Sequence, residues 1–137
     1  GKIARALSRE PKLYLYDPSE LSDEAHRFEN LVAVSLLRWC HFTQDWGQES
    51  LELRFVRDKE KREVDFLLTR EGKPFLLVEA KLTDTSIAPA LPHFSKRLGD
   101  VPAIQVVARL DRPGSTQGIP VLPAAVFLCS TQFIFRI

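Results

Sequence analysis

Residues 63–81, Glu-Val-Asp-Phe-Leu-Leu-Thr-Arg-Glu-Gly-Lys-Pro-Phe-Leu-Leu-Val-Glu-Ala-Lys, constrain the fold more than any other stretch. They read as two strands joined by a tight connection at Gly72. In the first, Val64, Phe66 and Leu68 alternate with Glu63, Asp65 and Leu67; in the second, Leu76, Val78 and Ala80 alternate with Leu77, Glu79 and Lys81. This is the period-two pattern of a pleated strand. Asp65, Glu79 and Lys81 can therefore share one face, and Leu67 and Leu77 on that face imply that at least part of it is covered. A hairpin symmetric about Gly72 sets Asp65 opposite Glu79 and Glu63 opposite Lys81, with opposed Cβ atoms roughly 4.5–5.5 Å apart. Two carboxylates that close, in a mostly buried place, repel unless one is protonated or a cation stands between them. Lys81 is one cation. A hard divalent ion such as Mg²⁺, which takes carboxylate oxygens plus water and phosphate, is another. The simpler alternative is a solvated charged face on which Lys81 merely pairs with Glu79 or Glu63.

The rest of the chain narrows the function. Its 137 residues, 45% of them hydrophobic, suit one domain whose core needs no disulfide. Lys and Arg number 19 against 18 Asp and Glu, a net charge of +1, so any basic surface for nucleic acid must be local. Cys40 and Cys129 match no metal or redox spacing and read as free thiols, which points to a reducing, cytoplasmic setting. No apolar run approaches the roughly 20 residues of a membrane span, and no signal-peptide pattern is present. Hydride, acyl-transfer and zinc chemistry have no support: there is no phosphate-cradling Gly-rich loop, nucleophile elbow or His/Cys cluster. With no Met and an initial Gly1, the chain reads as a fragment with an upstream part missing.

Around the hairpin, residues 1–11 read as a connecting segment and 12–137 as the domain. Lys12 to Tyr16 suits a short edge strand before the Asp17-Pro18 turn. From Ser22 to His41, Ala25, Phe28, Leu31, Val32, Leu36 and Trp39 recur at helical intervals, with Ser22 as the cap. Glu29 lies beside that apolar stripe, at the edge of the core, with an outward, solvated carboxylate as the alternative. His26 and His41 read as surface residues. Residues 44–50 read as a loop, Leu51 to Arg57 as a strand, and residues 58–62 as a charged turn. Arg57, Lys59, Lys61 and Arg62 there are either solvated or placed for phosphate contacts. After Lys81, a helix over 89–98 ending at Gly99 and a buried strand over 103–108 imply a parallel crossover. Lys96 and Arg97 are expected to face outward. Residues 111–118 read as a loop, 119–122 as a brief strand and 123–130 as a last helix.

An acid on the first helix, an Asp on one strand and Glu-x-Lys on the next, followed by helix and strand, resemble the restriction-endonuclease-like, or PD-(D/E)XK, superfamily. The matching pieces are Glu29, Val64-Asp65 and Glu79-Ala80-Lys81, with Val64 in place of the Pro of the superfamily name. More narrowly, Pro11 to Asp17, Phe28 to Val32, Glu63 to Phe66 and Val78 to Lys81 look like an uncharacterised domain C-terminal to AAA-type ATPases of bacteria and archaea. The resemblance implies a three-layer α/β fold with a central mixed sheet flanked by helices. It implies Mg²⁺ or Mn²⁺ held by Asp65, Glu79 and the Ala80 carbonyl, with Glu29 assisting and Lys81 orienting or activating water at a scissile phosphate. It also implies a missing ATPase module upstream. Two functions follow: metal-dependent hydrolysis of DNA or RNA, or a catalytically silent nuclease-fold module that docks partners or regulates the ATPase.

Overall fold

The helical spacing that begins near Ala25 produces one long helix in the computed structural model, which describes residues 24–47 and 50–134. Helix α1 (Glu24–Asp45) buries Phe28, Val32, Ala33, Leu36 and Cys40, one stripe of an amphipathic surface. It runs four residues beyond His41, so Gln44 and Asp45 are helical and not part of the expected loop. Gly47 then takes a positive φ of 66° as the chain turns. His26 and His41 are exposed. The expected connecting segment, edge strand and Ser22 cap lie outside the described residues.

Six strands follow: β1 (Leu51–Arg57), β2 (Glu63–Arg70), β3 (Lys73–Lys81), β4 (Ala103–Val107), β5 (Gly114–Thr116) and β6 (Ile119–Pro123). They form one mixed sheet in the order β1-β2-β3-β4-β6-β5. The first three are antiparallel neighbours, β4 is parallel to β3, and β6 is parallel to β4. Helix α2 (Ala90–Arg97) makes the crossover from β3 to β4 and helix α3 (Ala124–Ile134) closes the chain. Pro92 sits in the first turn of α2, where a missing N–H breaks no helical bond. Gly99, at φ 98°, ends that helix as its position suggests. The expected loop over 111–118 is instead partly strand: β5 pairs antiparallel with β6 across Gln117 and Gly118, both at positive φ (54° and 76°), the conformation of a tight hairpin turn.

Side chains alternate to the two faces of this sheet, and each face carries its own core. On one, Phe66, Leu68, Leu76, Val78, Ile104 and Val106 meet Phe28, Val32 and Leu36 of α1 and Phe127 of α3. On the other, Leu67, Leu77, Ala103, Val107 and Val121 meet Leu91 and Phe94 of α2. The central strands are thus covered on both sides, which is why they read as nearly continuous apolar runs.

Two irregularities in β2 and β3 decide what faces what. The tip of the hairpin is the pair Arg70 and Lys73, closed by Glu71 and Gly72 at φ 52° and 77°, a two-residue turn and not a bend centred on Gly72. Thr69 pairs with Pro74, but Leu68 pairs with Leu76, so Phe75 is an extra residue in β3. The Arg70 guanidinium stacks 3.8 Å from the centre of the Phe75 ring. From Leu68 inward the pairing is Leu67 with Leu77 and Phe66 with Val78, the register that aligns Asp65 with Glu79. On the other side of β2, Arg54 pairs with Leu67 and Val56 with Val64, so Phe55 of β1 faces both Asp65 and Phe66. That second bulge breaks the alternation of β2. Val64 consequently packs in the α2-side core and not with Phe66 and Leu68 as strict alternation requires.

Candidate active site

The β2–β3 ladder stops at Phe66 and Val78, and beyond it each strand offers its carboxylate to the backbone of the other. The Asp65 N–H donates to Glu79 Oε2 (3.2 Å), and the Ala80 N–H donates to Asp65 Oδ2 (2.9 Å). These two bonds form a reciprocal clasp where ordinary ladder bonds would otherwise run. Because N–H and C=O of one strand residue point to the same side, the Ala80 carbonyl also faces β2. Lys81 Nζ lies 3.6 Å from Glu79 Oε1 and its side chain is 37% exposed, so a charged, partly open group flanks a buried carboxylate. The Glu29 side chain hydrogen-bonds to Asp65, so α1 carries its acid inward to the strand pair. Glu63 is exposed and pairs with Arg57 of β1, so it takes no part in the cluster. The structure thus brings Glu29, Asp65, Glu79, Ala80 and Lys81 together. Leu67 and Leu77 are fully buried, as a covered face requires.

Electrostatically the pair is unsettled without a cation. Burial first, and then the Glu79 charge, push the Asp65 carboxyl up to about 7, against the smaller opposing effects of the Ala80 N–H and Glu29. Burial likewise raises Glu79, and there the Asp65 N–H and the Lys81 charge offset part of the rise. Both carboxyls are thus held above the usual carboxylate range, chiefly by burial. Two hard carboxylates that resist joint ionisation, with a strand carbonyl beside them, are a fitting donor set for a small divalent ion that keeps several waters. Among the described residues, no three His, Cys, Asp or Glu side chains make a ready-built metal cage.

Two buried polar residues escape a reading based on alternation. Asp58 opens the charged turn after β1, yet its side chain is only 2% exposed. Its Oδ1 accepts from the Arg62 N–H (2.9 Å) and its Oδ2 from Arg62 Nε (2.7 Å), while His93 Nε2 and Arg97 Nη1 of α2 each lie 3.7 Å away. Burial works to raise its pKa, but the Arg62 hydrogen bonds and charge outweigh burial and hold Asp58 below the usual carboxylate range. Arg62 and Arg97 are thus engaged with Asp58, whereas Arg57, Lys59 and Lys61 stay exposed. The second residue is Gln105, fully buried in β4. A lone amide in the apolar run Ala103 to Val107 is the sequence signal that marks it.

Cys40 is buried and Cys129 exposed, and both are free thiols, as their spacing suggests. Burial pushes the Cys40 thiol up to about 12, so it stays protonated and inert. Among the described residues no helix is long and apolar enough to cross a membrane. A family model described as a domain of unknown function, DUF4143, matches residues 25–127. No curated protein and no solved structure is significantly similar to the chain.

Proposed function

We propose that this chain, which belongs to the DUF4143 family of domains of unknown function, is a metal-dependent nuclease-like domain that hydrolyses phosphodiester bonds in DNA or RNA. The observation that carries the proposal is the meeting of Asp65 and Glu79 at the open end of the β2–β3 ladder, with Lys81 3.6 Å from Glu79. The order of helix, three antiparallel strands, crossover helix and parallel strand supports a restriction-endonuclease-like fold.

In this reading Asp65, Glu79 and the Ala80 carbonyl hold Mg²⁺ or Mn²⁺. The bound ion supplies a nucleophile at neutral pH and neutralises charge on the scissile phosphate. Lys81 adds a fixed ammonium beside Glu79, placed to bind a phosphate oxygen and stabilise charge that builds there. Glu29 orients Asp65 through their hydrogen bond. Arg57, Lys59 and Lys61 along the β1–β2 turn serve the flanking phosphates, contacts that position a strand without reading its sequence. Members of this family occur alongside AAA-type ATPases. We therefore assign the domain to the C-terminal part of such an enzyme, with the ATPase module as its partner and the cytoplasm as its setting.

One observation favours a second reading. Asp65 Oδ2 and Glu79 Oε2 already accept backbone N–H groups, so the clasp satisfies part of the acid pair with no ion and suits a silent module that docks partners or regulates the ATPase. Calorimetric titration of the chain with Mg²⁺ and Mn²⁺, followed by cleavage assays on DNA and RNA, separates the two. Binding is expected at one site, together with cleavage that Lys81→Ala lowers by more than about 100-fold. Because Lys81 is partly exposed but Glu79 is buried, that substitution should cost more than the ~1 kcal/mol of an exposed pair and less than the ~3–5 kcal/mol of a fully buried one. An absence of metal binding and cleavage in the wild type replaces the nuclease reading with the silent one.

A further inference from the structure

Gln105 has no exposed surface. A buried primary amide must find partners for its N–H groups and its oxygen, and this one finds all of them in a single segment. Its Nε2 donates to the carbonyls of Asp84 (3.2 Å) and Ser86 (2.8 Å), and its Oε1 accepts from the Ala88 N–H (3.1 Å). These three residues belong to the connection between β3 and α2, which begins directly after Lys81. In the parallel ladder Gln105 stands beside Glu79. The connection is stiffened from within as well: Asp84 Oδ1 accepts from the Ser86 N–H (2.9 Å) and from the Ser86 hydroxyl (2.6 Å). Gln105 therefore ties the segment that follows Lys81 to the ladder position beside Glu79, whose carboxylate lies 3.6 Å from Lys81 Nζ and accepts from the Asp65 N–H.

We infer that Gln105 is a positioning residue: its three bonds lock the connection over residues 84–88 so that Lys81, just before it, stays beside Glu79 and the clasp between Glu79 and Asp65 stays closed. This rests on the reading of Glu79 and Lys81 as the working site, but it makes its own claim about the metal-free protein. Neither Leu nor Glu reproduces these bonds. Leu removes all three bonds, while Glu keeps the Ala88 bond and sets a carboxylate against two carbonyl oxygens it has no hydrogen to satisfy.

The test is amide hydrogen exchange, residue by residue, on the intact metal-free chain as wild type, Gln105→Leu and Gln105→Glu. If the Leu variant fails to fold, the Glu variant carries the comparison. The Ser86 and Ala88 amides are expected to exchange at least about tenfold faster. The Asp65 and Ala80 amides, which report the clasp, should accelerate with them, while the Leu67 and Val106 amides keep their wild-type rates. Unchanged Ser86 and Ala88 amides overturn the inference. So does a loosened connection with an unchanged clasp, which reduces Gln105 to a loop anchor, and so does uniform acceleration through the core strands, which assigns it to global stability. Mn²⁺ calorimetry on the same three proteins should show weaker binding in both variants. A wild type that binds no Mn²⁺ overturns the metal reading, while the clasp amides still decide the role of Gln105.

Discussion

Asp65→Asn is expected to raise the melting temperature of the metal-free domain and to abolish its affinity for Mg²⁺ and Mn²⁺. The Asn amide oxygen still accepts from the Ala80 N–H, as Asp65 Oδ2 does, but it presents no charge to Glu79. Removing the buried Asp65 charge should stabilise by about 1 kcal/mol or more, up to the roughly 4 kcal/mol that a rise from roughly 3.9 to about 7 represents. The effect carries a pH signature. Asp65 titrates near 7 in the folded chain, against roughly 3.9 when unfolded. Between those values the folded state binds a proton that the unfolded state has released, so the Asp65 contribution is complete below pH ~4 and is lost as pH rises through 7. The variant and wild type should therefore melt together at low pH and diverge towards pH 8. Asp58 works in the opposite sense: its depressed pKa gives stability that is present above the unfolded value and lost as pH falls. Both proteins share that slope, so the difference between their melts isolates Asp65. A variant that melts lower at pH 8 identifies a structural role, because removing one partner of a buried ion pair costs about 3–5 kcal/mol. If Asp65 holds the proposed ion, proton and ion compete for it, and metal affinity should climb through neutral pH.

Phe94→Ala is expected to cost about 3–5 kcal/mol, the range for emptying an aromatic site in a packed core. Phe94 has no exposed surface and joins Leu91 of α2 to Leu67, Leu77 and Val107 beneath it. Against a total of about 5–15 kcal/mol for a domain, that is a large share. The loss should spread beyond the cavity, because His93 and Arg97 on the same helix bracket Asp58 and hold the β1–β2 turn against it. Urea unfolding checks the value. A cost below about 1.5 kcal/mol, the level of a volume-conserving swap, would show that α2 repacks freely and is not the wall that the site leans on.

Much of this arrangement is legible in the chain because one face of each strand must be apolar. Alternation around Gly72 predicts the hairpin, and Leu67 and Leu77 among the charges predict that the charged face is covered. The 3.6-residue spacing around Phe28 and Val32 places Glu29 at the edge of the core, and the strand, helix, strand order after Phe75 predicts the parallel β3–β4 pair. The misreadings have local causes. Alternation treats a strand as unbroken, so it puts Val64 with Phe66; the bulge at Asp65 and Phe66 is set by pairing with β1, which periodicity along β2 alone does not encode. Pro74, lacking an N–H near the tip of β3, is the one sequence hint of the irregularity beside it. Asp58 was hidden in a run of charges because burial there depends on Arg62 folding back and on two side chains from a helix more than thirty residues later. β5 is exposed along its whole length, so no hydrophobic pattern marks it, and only Gln117-Gly118 signals its turn.

The extra residue at Phe75 gives the hairpin a place to absorb changes in length. If Phe75 is deleted, the ladder from Arg70 and Lys73 becomes regular and Leu68 still meets Leu76, so Asp65 and Glu79 stay aligned. A deletion at Val78 has no such reserve, because everything beyond it shifts by one position. Glu79 would then stand opposite Phe66, on the face that packs against α1, and a charge meant for the site would be driven into an apolar core. The tip of the hairpin can thus lose a residue without reaching the acids, while the base cannot.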